Sequence, residues 1–401
     1  MELARTGTHG QFIRPAVDEV RFGAGCIDQL AQLLERDGIR RAVVVTGKTL
    51  ANTPALLDAV ISATVGRCAG VFCETQPHVP RETAIAAAEF LREKAADAVI
   101  SFGGSTQSDT AKGAVWALAD DLRAPADFEP CAIRFDYPST RIVPQMKGVA
   151  LPIYAVPTTL SAGEFTDIAG LSNTAQGEKD LYRDRKLGAR AVLLDPELTL
   201  NTPEWLWLSS GIKAVDHCVE AWFSITAQPM VDALAIEGLA ALMRWLPVTR
   251  RNPEDLEARM HCQIAAWLSV SGLANVSLGL SHGLGHQLGG RCKVAHGHTS
   301  CVLLPHVVRF NAEATAERRA LLCRRLEAVL EQPFEAGAFE DALRVLIADE
   351  LGLPSRLRDL SVAREDLPFV ARAALRDPIV ATNPRPIRSA DEVMAVLDAA
   401  W

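Results

Sequence analysis

Short apolar runs alternate with helical patterns through the first half of the chain. Three runs, Ala42–Thr46, Ala98–Phe102 and Pro152–Val156, are continuous and apolar, as strands buried on both faces are. Between the first two, Arg81–Ala96 is rich in alanine and has apolar residues at helical spacing. This alternation predicts a parallel sheet with crossover helices, an α/β arrangement.

Helical periodicity replaces the strand pattern after about residue 196. The change predicts two domains, an α/β dinucleotide-binding domain over 1–195 and an all-α domain over 196–401. The segment 120–147 has four prolines and no clear period, so we interpret it as a long connection. The helices predicted for the second domain are Pro203–Ser224, Pro229–Leu246, Leu256–Leu280 and Glu313–Leu330, with Pro203 and Pro229 in first turns.

Composition narrows the class of protein. The 401 residues, 49% of them hydrophobic, are typical of a folded two-domain chain. A formal charge of -8 argues against nucleic acid or an anionic membrane as a partner. Nine cysteines without a CxxC pair indicate free, mostly buried thiols. The uncharged stretch 260–290 is interrupted by polar residues, so it predicts a buried helix pair and not a membrane span. The N-terminus has no apolar run of the kind found in secretion signals, so we expect a cytoplasmic protein.

Two polar loops follow predicted strands. GGSTQSDTAK at 103–112 combines glycines, hydroxyls and a helix start, which suits a bound phosphate. PTTLSAGEFT at 157–166 follows the next strand, and neighbouring parallel strands would bring both loops to one crevice. Together the loops favour a nucleotide site. The alternative for the first loop is a plain strand-to-helix turn capped by Ser105, Thr106 or Ser108.

Histidines are concentrated in the second half. Seven of the nine fall within 90 residues, where uniform scatter would place about two. His282 and His286 are four residues apart and share a helical face, within a segment whose glycines oppose helix formation. Such a local conflict indicates a functional site or very close packing, although a single histidine is more often a hydrogen-bonded core or surface residue. The seven are His217, His261, His282, His286, His296, His298 and His306.

Lys213 precedes His217 by four residues in GIKAVDHCVE at 211–220. Both side chains project from one face if that segment is helical. Asp216 points about 100° away from His217 but is i+3 from Lys213. The alternative interpretation is therefore a plain surface pair between Lys213 and Asp216, worth a few tenths of a kcal/mol.

At these motifs the chain resembles the iron-containing alcohol dehydrogenase superfamily, and within it the maleylacetate reductases. The similarity runs from about Val20 to at least Phe310 and rests on the order and spacing of the motifs. It implies an N-terminal dinucleotide-binding domain, a C-terminal helical domain, a nicotinamide cofactor between them, and a homodimer. The motifs are VTGKTL, GGSTQSDTAK, PTTLSAGEFT, GEKDLYRDRKLGARAVLLDPELT, GIKAVDHCVE, SHGLGHQLGG and AHGHTSCVLLPH.

The resemblance also implies the cofactor-binding residues. Ser105 replaces the third glycine of the family and Thr106 its serine, and both keep a hydroxyl. Gly47 stands where the family often has an acidic residue, whose charge would repel a 2'-phosphate, and the adjacent Lys48 is positively charged. We therefore predict that NADPH is accepted at least as readily as NADH. The implied residues are Gly103, Gly104, Ser105 and Thr106 at the pyrophosphate, Asp109 at the helix start, Thr158 and Thr159 beside the cofactor, and Lys179 near its ribose.

Metal-dependent members of the superfamily use an Asp and three His as ligands. Lys213 occupies the Asp position, and an ammonium cannot ligate a cation, so we expect no catalytic metal, although residual binding by the histidines stays open. The three matching histidines are His217, His282 and His296. Our hypothesis is that hydride passes to a ketone carbon and that Lys213 or a protonated histidine stabilises the developing alkoxide. His286 and His282 would lie closest to the carbonyl, and His217 and His296 would shape the pocket.

These observations predict an NAD(P)H-dependent reductase of a small-molecule oxo acid of the maleylacetate type, yielding 3-oxoadipate or an analogue in aromatic catabolism. Two other enzymes remain open, namely a metal-dependent alcohol or aldehyde dehydrogenase of the superfamily and a sugar-phosphate cyclase. The second half lacks an obvious basic cluster for a phosphate clamp, which weakens the cyclase alternative. A third alternative is a non-catalytic dinucleotide-binding protein.

Overall fold

The computed structural model describes residues 10–136, 140–331, 333–334 and 339–401. The chain divides into two compact units, Pro15–Asn201 and Thr202–Trp401, and the described residues before Pro15 group with the second unit. They do so through hydrogen bonds such as Ile13 N to Asn275 Oδ1 at 2.6 Å. The predicted domains, 1–195 and 196–401, differ from these units at the N-terminus and by six residues at the boundary.

A six-stranded parallel sheet forms the centre of the first unit, in the order β1-β10-β7-β4-β2-β3. Two antiparallel hairpins, β5 with β6 and β8 with β9, accompany it. The strands are β1 Val20–Phe22, β2 Ala42–Val45, β3 Cys68–Phe72, β4 Ala98–Gly103, β5 Arg134–Asp136, β6 Thr140–Ile142, β7 Ile153–Pro157, β8 Ile168–Asn173, β9 Glu178–Arg183 and β10 Ala191–Leu194.

Fourteen α-helices are present in the described residues, together with several short 3-10 helices. α1 to α5 belong to the first unit and α6 to α14 to the second. They are α1 Leu30–Arg36, α2 Lys48–Ala51, α3 Pro54–Ser62, α4 Arg81–Glu93, α5 Ser105–Ala119, α6 Glu204–Phe223, α7 Pro229–Arg251, α8 Leu256–Ser271, α9 Leu280–Cys292, α10 His296–Phe310, α11 Ala316–Leu330, α12 Phe339–Arg344, α13 Leu367–Ala374 and α14 Ala390–Ala400.

Alternate side chains of the central strands enter two separate cores because successive residues of a strand face opposite sides of the sheet. Val43 and Val45 lie in the core that includes α4 and α5, whereas Val44 lies in the core that includes α1 and α3. Burial on both faces explains the continuous apolar runs. The α/β class of the first unit and the helical character of the second are confirmed.

Several predicted boundaries need correction. The predicted helix over 256–280 ends at Ser271, and α9 begins at Leu280. The intervening residues 272–279, GLANVSLG, include apolar side chains, so periodicity alone did not reveal the break. Pro203 is the N-cap residue of α6 and not part of its first turn, and α11 begins at Ala316, three residues later than predicted. In the predicted connection 120–147 the structure has a short 3-10 helix and the β5–β6 hairpin, with 137–139 outside the described residues.

The uncharged stretch 260–290 forms the bent pair α8 and α9. No single helix among the described residues is long and apolar enough to cross a membrane. The α8–α9 pair has that length and apolar character only when the two helices, which are bent by 103°, are taken together. All nine cysteines are free thiols, as predicted, and five are buried.

Candidate active site

The loop after β4 has a backbone that only glycine fits. Gly103 has φ +139°, and a Cβ there would lie 2.6 Å from Gln107 Oε1. Gly104 is the N-cap residue of α5, and its N–H donates to Gln107 Oε1 at 2.9 Å. The alternative of a turn capped by a hydroxyl is wrong, because Ser105, Thr106 and Ser108 lie inside the helix. The amide-lined start of α5 is the feature that suits an anion.

The two polar loops lie side by side. β4 pairs with β7 in parallel, so Gly103 is opposite Pro157 and the loops leave the same sheet edge. Thr158 N donates to Gly103 O at 3.0 Å, and a Cβ on Gly104 would lie 2.9 Å from Thr159 Oγ1. The structure therefore brings the predicted cofactor residues 103–106 and 158–159 together. Their role in binding stays a prediction.

Gly47 faces the same loop. A Cβ at this position would lie 2.9 Å from Gln107 Nε2 and 3.2 Å from Thr75 Oγ1, so the Gln107 amide fills the space of a larger side chain. The neighbouring Lys48 Nζ pairs with Glu74 Oε2 at 2.8 Å on the surface. That pairing reduces the free positive charge that we expected beside Gly47.

A buried charged cluster supports the second loop. Asp109 Oδ2 accepts from Gly170 N at 3.1 Å, and Lys112 Nζ donates to Gly163 O, Ile168 O and Thr166 Oγ1 at 2.7, 2.9 and 3.2 Å. Burial raises the pKa of Asp109 and lowers that of Lys112. Lys179 approaches the same strand, where its Cε lies close to Gly170.

Sequence reasoning assigned no function to Lys112. Its spacing of three residues from Asp109 on an alanine-rich helix was the available signal. The contacts show that Lys112 fixes the segment 163–168 against α5.

In the second unit, three helices carry the predicted catalytic residues. Lys213 and His217 lie on α6, His282 and His286 on α9, and His296 at the start of α10. The rings of His217 and His282 stack with centroids 5.2 Å apart, and those of His286 and His296 meet edge to face at 6.4 Å. The structure therefore groups the four predicted histidines as two pairs that share α9.

Other histidines of the cluster make separate contacts. His261 stacks on Trp245 with ring centroids 4.4 Å apart, and His298 lies 5.4 Å from the Trp205 ring. His261 and His298 therefore agree with the alternative interpretation, in which a single histidine is an ordinary packed side chain. The glycines of α9 have a packing reason, since a Cβ on Gly285 would lie 3.0 Å from Thr299 Oγ1 of α10. Close approach of the two helices is what brings His286 near His296.

Asp216 differs from the expectation of a surface pair. It does pair with Lys213 Nζ, at 3.2 Å, but its side chain is fully buried. The same oxygen, Oδ2, also accepts from Ser281 Oγ at 3.0 Å and Ser300 Oγ at 2.6 Å. Burial acts to raise the pKa of Asp216, yet Lys213, His282 and the Ser300 hydrogen bond lower it to about 2. A buried, ionised carboxylate is therefore held at the centre of the cluster.

Glu220, three residues beyond His217 on α6, binds His282. Its Oε2 lies 2.6 Å from His282 Nδ1, and both side chains are buried. His286 has a weaker acidic neighbour, Asp377 Oδ2, at 3.4 Å. Sequence reasoning missed both carboxylates; Glu220 lay within the quoted motif, whereas Asp377 had no sequence signal.

Three buried polar atoms of this cluster have no hydrogen-bond partner among the described residues. They are His217 Nδ1, His282 Nε2 and Asp216 Oδ1. Burial, together with the charges of His282 and Lys213, holds the pKa of His217 well below its usual value, so this ring is neutral. Unsatisfied buried polar atoms grouped in one cluster mark it as a candidate functional site.

Comparison with known proteins agrees with the motifs. The sequence profile described as "Iron-containing alcohol dehydrogenase" matches residues 18–196, and that described as "Fe-containing alcohol dehydrogenase family, C-terminal" matches 207–401. A maleylacetate reductase of Pseudomonas knackmussii is 34% identical over 382 residues, which are 95% of each chain.

Solved structures give the same result. The maleylacetate reductase of Agrobacterium tumefaciens is 29% identical with a TM-score of 0.79, covering 98% of this chain and 99% of that one. An iron-containing alcohol dehydrogenase of Corynebacterium glutamicum is 25% identical with a TM-score of 0.80, covering 98% and 97%. The similarity therefore extends over nearly the whole of each chain.

Proposed function

Because the chain belongs to the iron-containing alcohol dehydrogenase family, and is thereby an NAD(P)-dependent oxidoreductase, we propose that it reduces an oxo acid of the maleylacetate type. The relatives named maleylacetate reductase support this substrate class. Membership of an oxidoreductase family removes the cyclase and non-catalytic alternatives. The observation that carries the proposal is the Lys213 ammonium, bound to a buried carboxylate inside the histidine cluster.

The product 3-oxoadipate requires a change in our hypothesis about hydride transfer. This product keeps the ketone of maleylacetate, so hydride cannot add to the ketone carbon. A bound NADPH would supply the hydride, which would add instead to the alkene carbon β to the ketone. The ketone oxygen would take the negative charge as an enolate, and the α-carbon would then gain a proton. The oxygen needs a positive or hydrogen-bonding partner in either reaction.

Lys213 is suited to short-range stabilisation of that oxygen. An ammonium has three N–H donors, and one of them binds Asp216. The Asp216 charge offsets much of the long-range attraction for a carboxylated substrate, so we assign Lys213 the role of hydrogen-bond donor. His282 and His286 are the proposed proton donors, and His217 and His296 shape the pocket.

The donor set fits the four-ligand metal site of the family poorly. Its Asp position is Lys213, which offers no lone pair, and the charge of Lys213 is felt at His217, where it lowers the pKa. Asp216, Glu220 and His282 are close enough together to hold an ion, with their ligand atoms within 4.8 Å. Asp216 Oδ2 and both Glu220 oxygens already accept hydrogen bonds from Lys213, serine hydroxyls and backbone amides, which leaves Asp216 Oδ1 and His282 Nε2 without a partner among the described residues. We therefore propose catalysis without a metal. This proposal rests on Lys213 alone, because the family itself is named for its iron.

For the cofactor, we propose that residues 103–106 hold the pyrophosphate, with Thr158 and Thr159 beside the cofactor and Lys179 near its ribose. Asp109, which we expected to open the helix, is instead the fifth residue of α5. We propose acceptance of NADPH at least equal to that of NADH, because Gly47 supplies no carboxylate against a 2'-phosphate. A kcat/KM that favours NADH by more than about a hundredfold would show this preference to be wrong.

The second candidate is a metal-dependent alcohol or aldehyde dehydrogenase of the same family. His217, His282 and His296 stand at three of the four family ligand positions, and three imidazoles suffice for some catalytic zinc sites. Stoichiometric iron or zinc in the purified protein, with activity on simple alcohols, would favour it. We also propose a homodimer, which light scattering would test.

The decisive test is NADPH oxidation with a panel of oxo acids and simple aldehydes. We expect turnover with an unsaturated oxo diacid, and transfer of deuterium from labelled NADPH to carbon with the ketone intact. Lys213→Ala should lower kcat/KM by more than about threefold, and Lys213→Arg should retain more activity than Lys213→Ala. Equal activity of Lys213→Ala and the parent would refute the role of Lys213.

A further inference from the structure

We propose that Lys112 is a positioning residue for the dinucleotide: its buried ammonium holds the loop 157–166 against α5, and this contact sets how tightly the cofactor binds. The proposal rests on the proposed function, in which this loop and the start of α5 bind NADPH. The residues concerned all belong to the first unit. Lys112 does not touch the cofactor in this proposal and acts through the loop.

One face of α5 is polar and lies along the loop. It carries the i, i+3, i+4, i+7 series Ser105, Ser108, Asp109 and Lys112. A Cβ on Gly163 would lie 3.7 Å from Ser105 Cβ and 3.9 Å from Ser108 Oγ, so the loop backbone runs close to the first turn of the helix. The helix proposed to offer its N-terminal amides to the pyrophosphate therefore also supports the loop.

Lys112 holds the second half of the loop. Its Nζ donates to Gly163 O at 2.7 Å, to Ile168 O at 2.9 Å and to Thr166 Oγ1 at 3.2 Å. An ammonium has three donors, and these three oxygens use all of them. Gly163 is thus held by Lys112 on one side and lies close to Ser105, seven residues earlier on the same helix, on the other.

A charge at this depth has a cost that packing alone does not explain. Lys112 is 1% exposed, and burial lowers its pKa. The carboxyl groups of Asp109, Glu164 and Asp167 attract the ammonium and act against that shift of the pKa. On a helix rich in alanine, an apolar residue would avoid the desolvation cost, so the buried ammonium indicates a role that needs its hydrogen bonds to the loop.

The first half of the loop is fixed at the sheet edge. Thr158 N donates to Gly103 O at 3.0 Å, and a Cβ on Gly104 would lie 2.9 Å from Thr159 Oγ1. With Lys112 holding the second half, both threonines are in place before the cofactor arrives, so binding does not have to order them. Without Lys112 the second half of the loop gains freedom, and the loss of that freedom on binding weakens the affinity.

Calorimetric titration with NADPH tests this role. Lys112→Met keeps most of the side-chain volume and removes the three donors. We expect the Kd for NADPH to rise at least about tenfold. The KM for NADPH should rise in parallel, while kcat at saturating NADPH stays within about threefold and the KM for the oxo acid is unchanged, because the ordered complex is the same once the cofactor is bound.

Hydrogen exchange locates the effect within the first unit. Phe165 N and Thr166 N donate to Ala162 O and Gly163 O at 3.2 and 3.1 Å, so their exchange rates report the order of the second half of the loop. In Lys112→Met without cofactor, the exchange rates of these amides should increase by a larger factor than those of the central strand β2, which report global unfolding. An equal increase in both would mean that Lys112 only stabilises the unit, against the proposal.

Lys186→Met is the matched control. Lys186 Nζ also donates to two backbone carbonyls, Met146 O at 2.9 Å and Gly148 O at 3.1 Å. Gly148 lies beside Ala119 at the C-terminal end of α5, the opposite end from Ser105. We expect the Kd for NADPH in Lys186→Met to stay within about twofold of the wild-type value.

Thr166→Val applies the same test with the ammonium retained. It removes one of the three acceptors of Lys112 and should raise the Kd for NADPH by about threefold, with faster exchange of the Phe165 amide. This variant decides the question if Lys112→Met does not fold, and an unchanged Kd would then overturn the proposal.

Three other results would overturn it: a Kd for NADPH in Lys112→Met within about twofold of the wild-type value, a fall in kcat without a change in Kd, or an equal rise in Kd in Lys186→Met. A protein that binds NADPH, loses affinity in Lys112→Met and reduces no oxo acid would refute the proposed function and support the role of Lys112. Turnover of the oxo acid with an unchanged Kd in Lys112→Met would do the reverse.

Discussion

Removing the Lys213 ammonium should destabilise the second unit much more than the loss of an exposed ion pair would. Lys213→Met keeps most of the length of the side chain but leaves the fully buried Asp216 without its ammonium partner, with Ser281 and Ser300 as hydrogen-bond donors and His282 Nδ1 at 3.8 Å. Asp216→Asn removes the other charge. The double variant removes both, so a double-mutant cycle isolates the interaction between them.

The magnitude follows from the geometry. Two unit charges at 3.2 Å attract by about 5 kcal/mol at an effective dielectric constant of about 20. Desolvation of both groups and the 15% exposure of the Lys213 side chain reduce the net value. We expect a coupling free energy of about 2–3 kcal/mol. This value lies above the range for exposed pairs, about 0–1 kcal/mol, and below the cost of breaking a fully buried pair, about 3–5 kcal/mol.

The assay is hydrogen exchange of the α6 amides in increasing urea, which reads the second unit separately from the first. Arg364→Met, Asp398→Asn and their combination form the control cycle, because that pair, 3.0 Å long, is exposed on the same unit. A Lys213–Asp216 coupling below about 0.5 kcal/mol, no larger than the control, would show that the buried pair contributes as little as a surface pair and would refute the reasoning.

Three further predictions concern pH, cofactor and metal. Burial raises the pKa of Glu164 from 4.5 to about 7, so the folded state holds this proton more tightly than the unfolded state and stability is lost as pH rises towards 7. Glu164→Gln should therefore have a higher free energy of unfolding in urea than the wild type, and this difference should increase with pH by up to about 3 kcal/mol. A difference that does not change with pH would contradict the raised pKa of Glu164. In Gly47→Asp the Gln107 amide must shift to make room, and the new carboxylate should repel the 2'-phosphate of NADPH. We expect the ratio of kcat/KM with NADPH to kcat/KM with NADH to fall by at least about tenfold, and an unchanged ratio would place the 2'-phosphate elsewhere. Dialysis against a strong chelator should leave kcat/KM within about twofold of its starting value; a loss that added Fe²⁺ or Zn²⁺ restores would establish a catalytic metal.

Local patterns predicted the elements that frame the site. The buried strands Ala42–Val45 and Ala98–Gly103 were recognisable because burial on both faces forces continuous apolar residues. Helical spacing placed Lys213 with His217 and His282 with His286, since four residues complete about one turn. The hairpin strands β8 and β9 were missed, because four of the six residues of β9 are charged and the strand gives no apolar run.

Sequence by itself determined the parallel sheet, the adjacent polar loops and the helical spacing of Lys213 with His217 and of His282 with His286, because each depends on spacing along one element or on neighbouring strands. Tertiary structure alone decided that Asp216 is buried with Lys213 and that Glu220 binds His282, 62 residues away. Those contacts arise where the start of α9 meets α6 while the helix packs along α10, and no periodicity along a single helix contains that information.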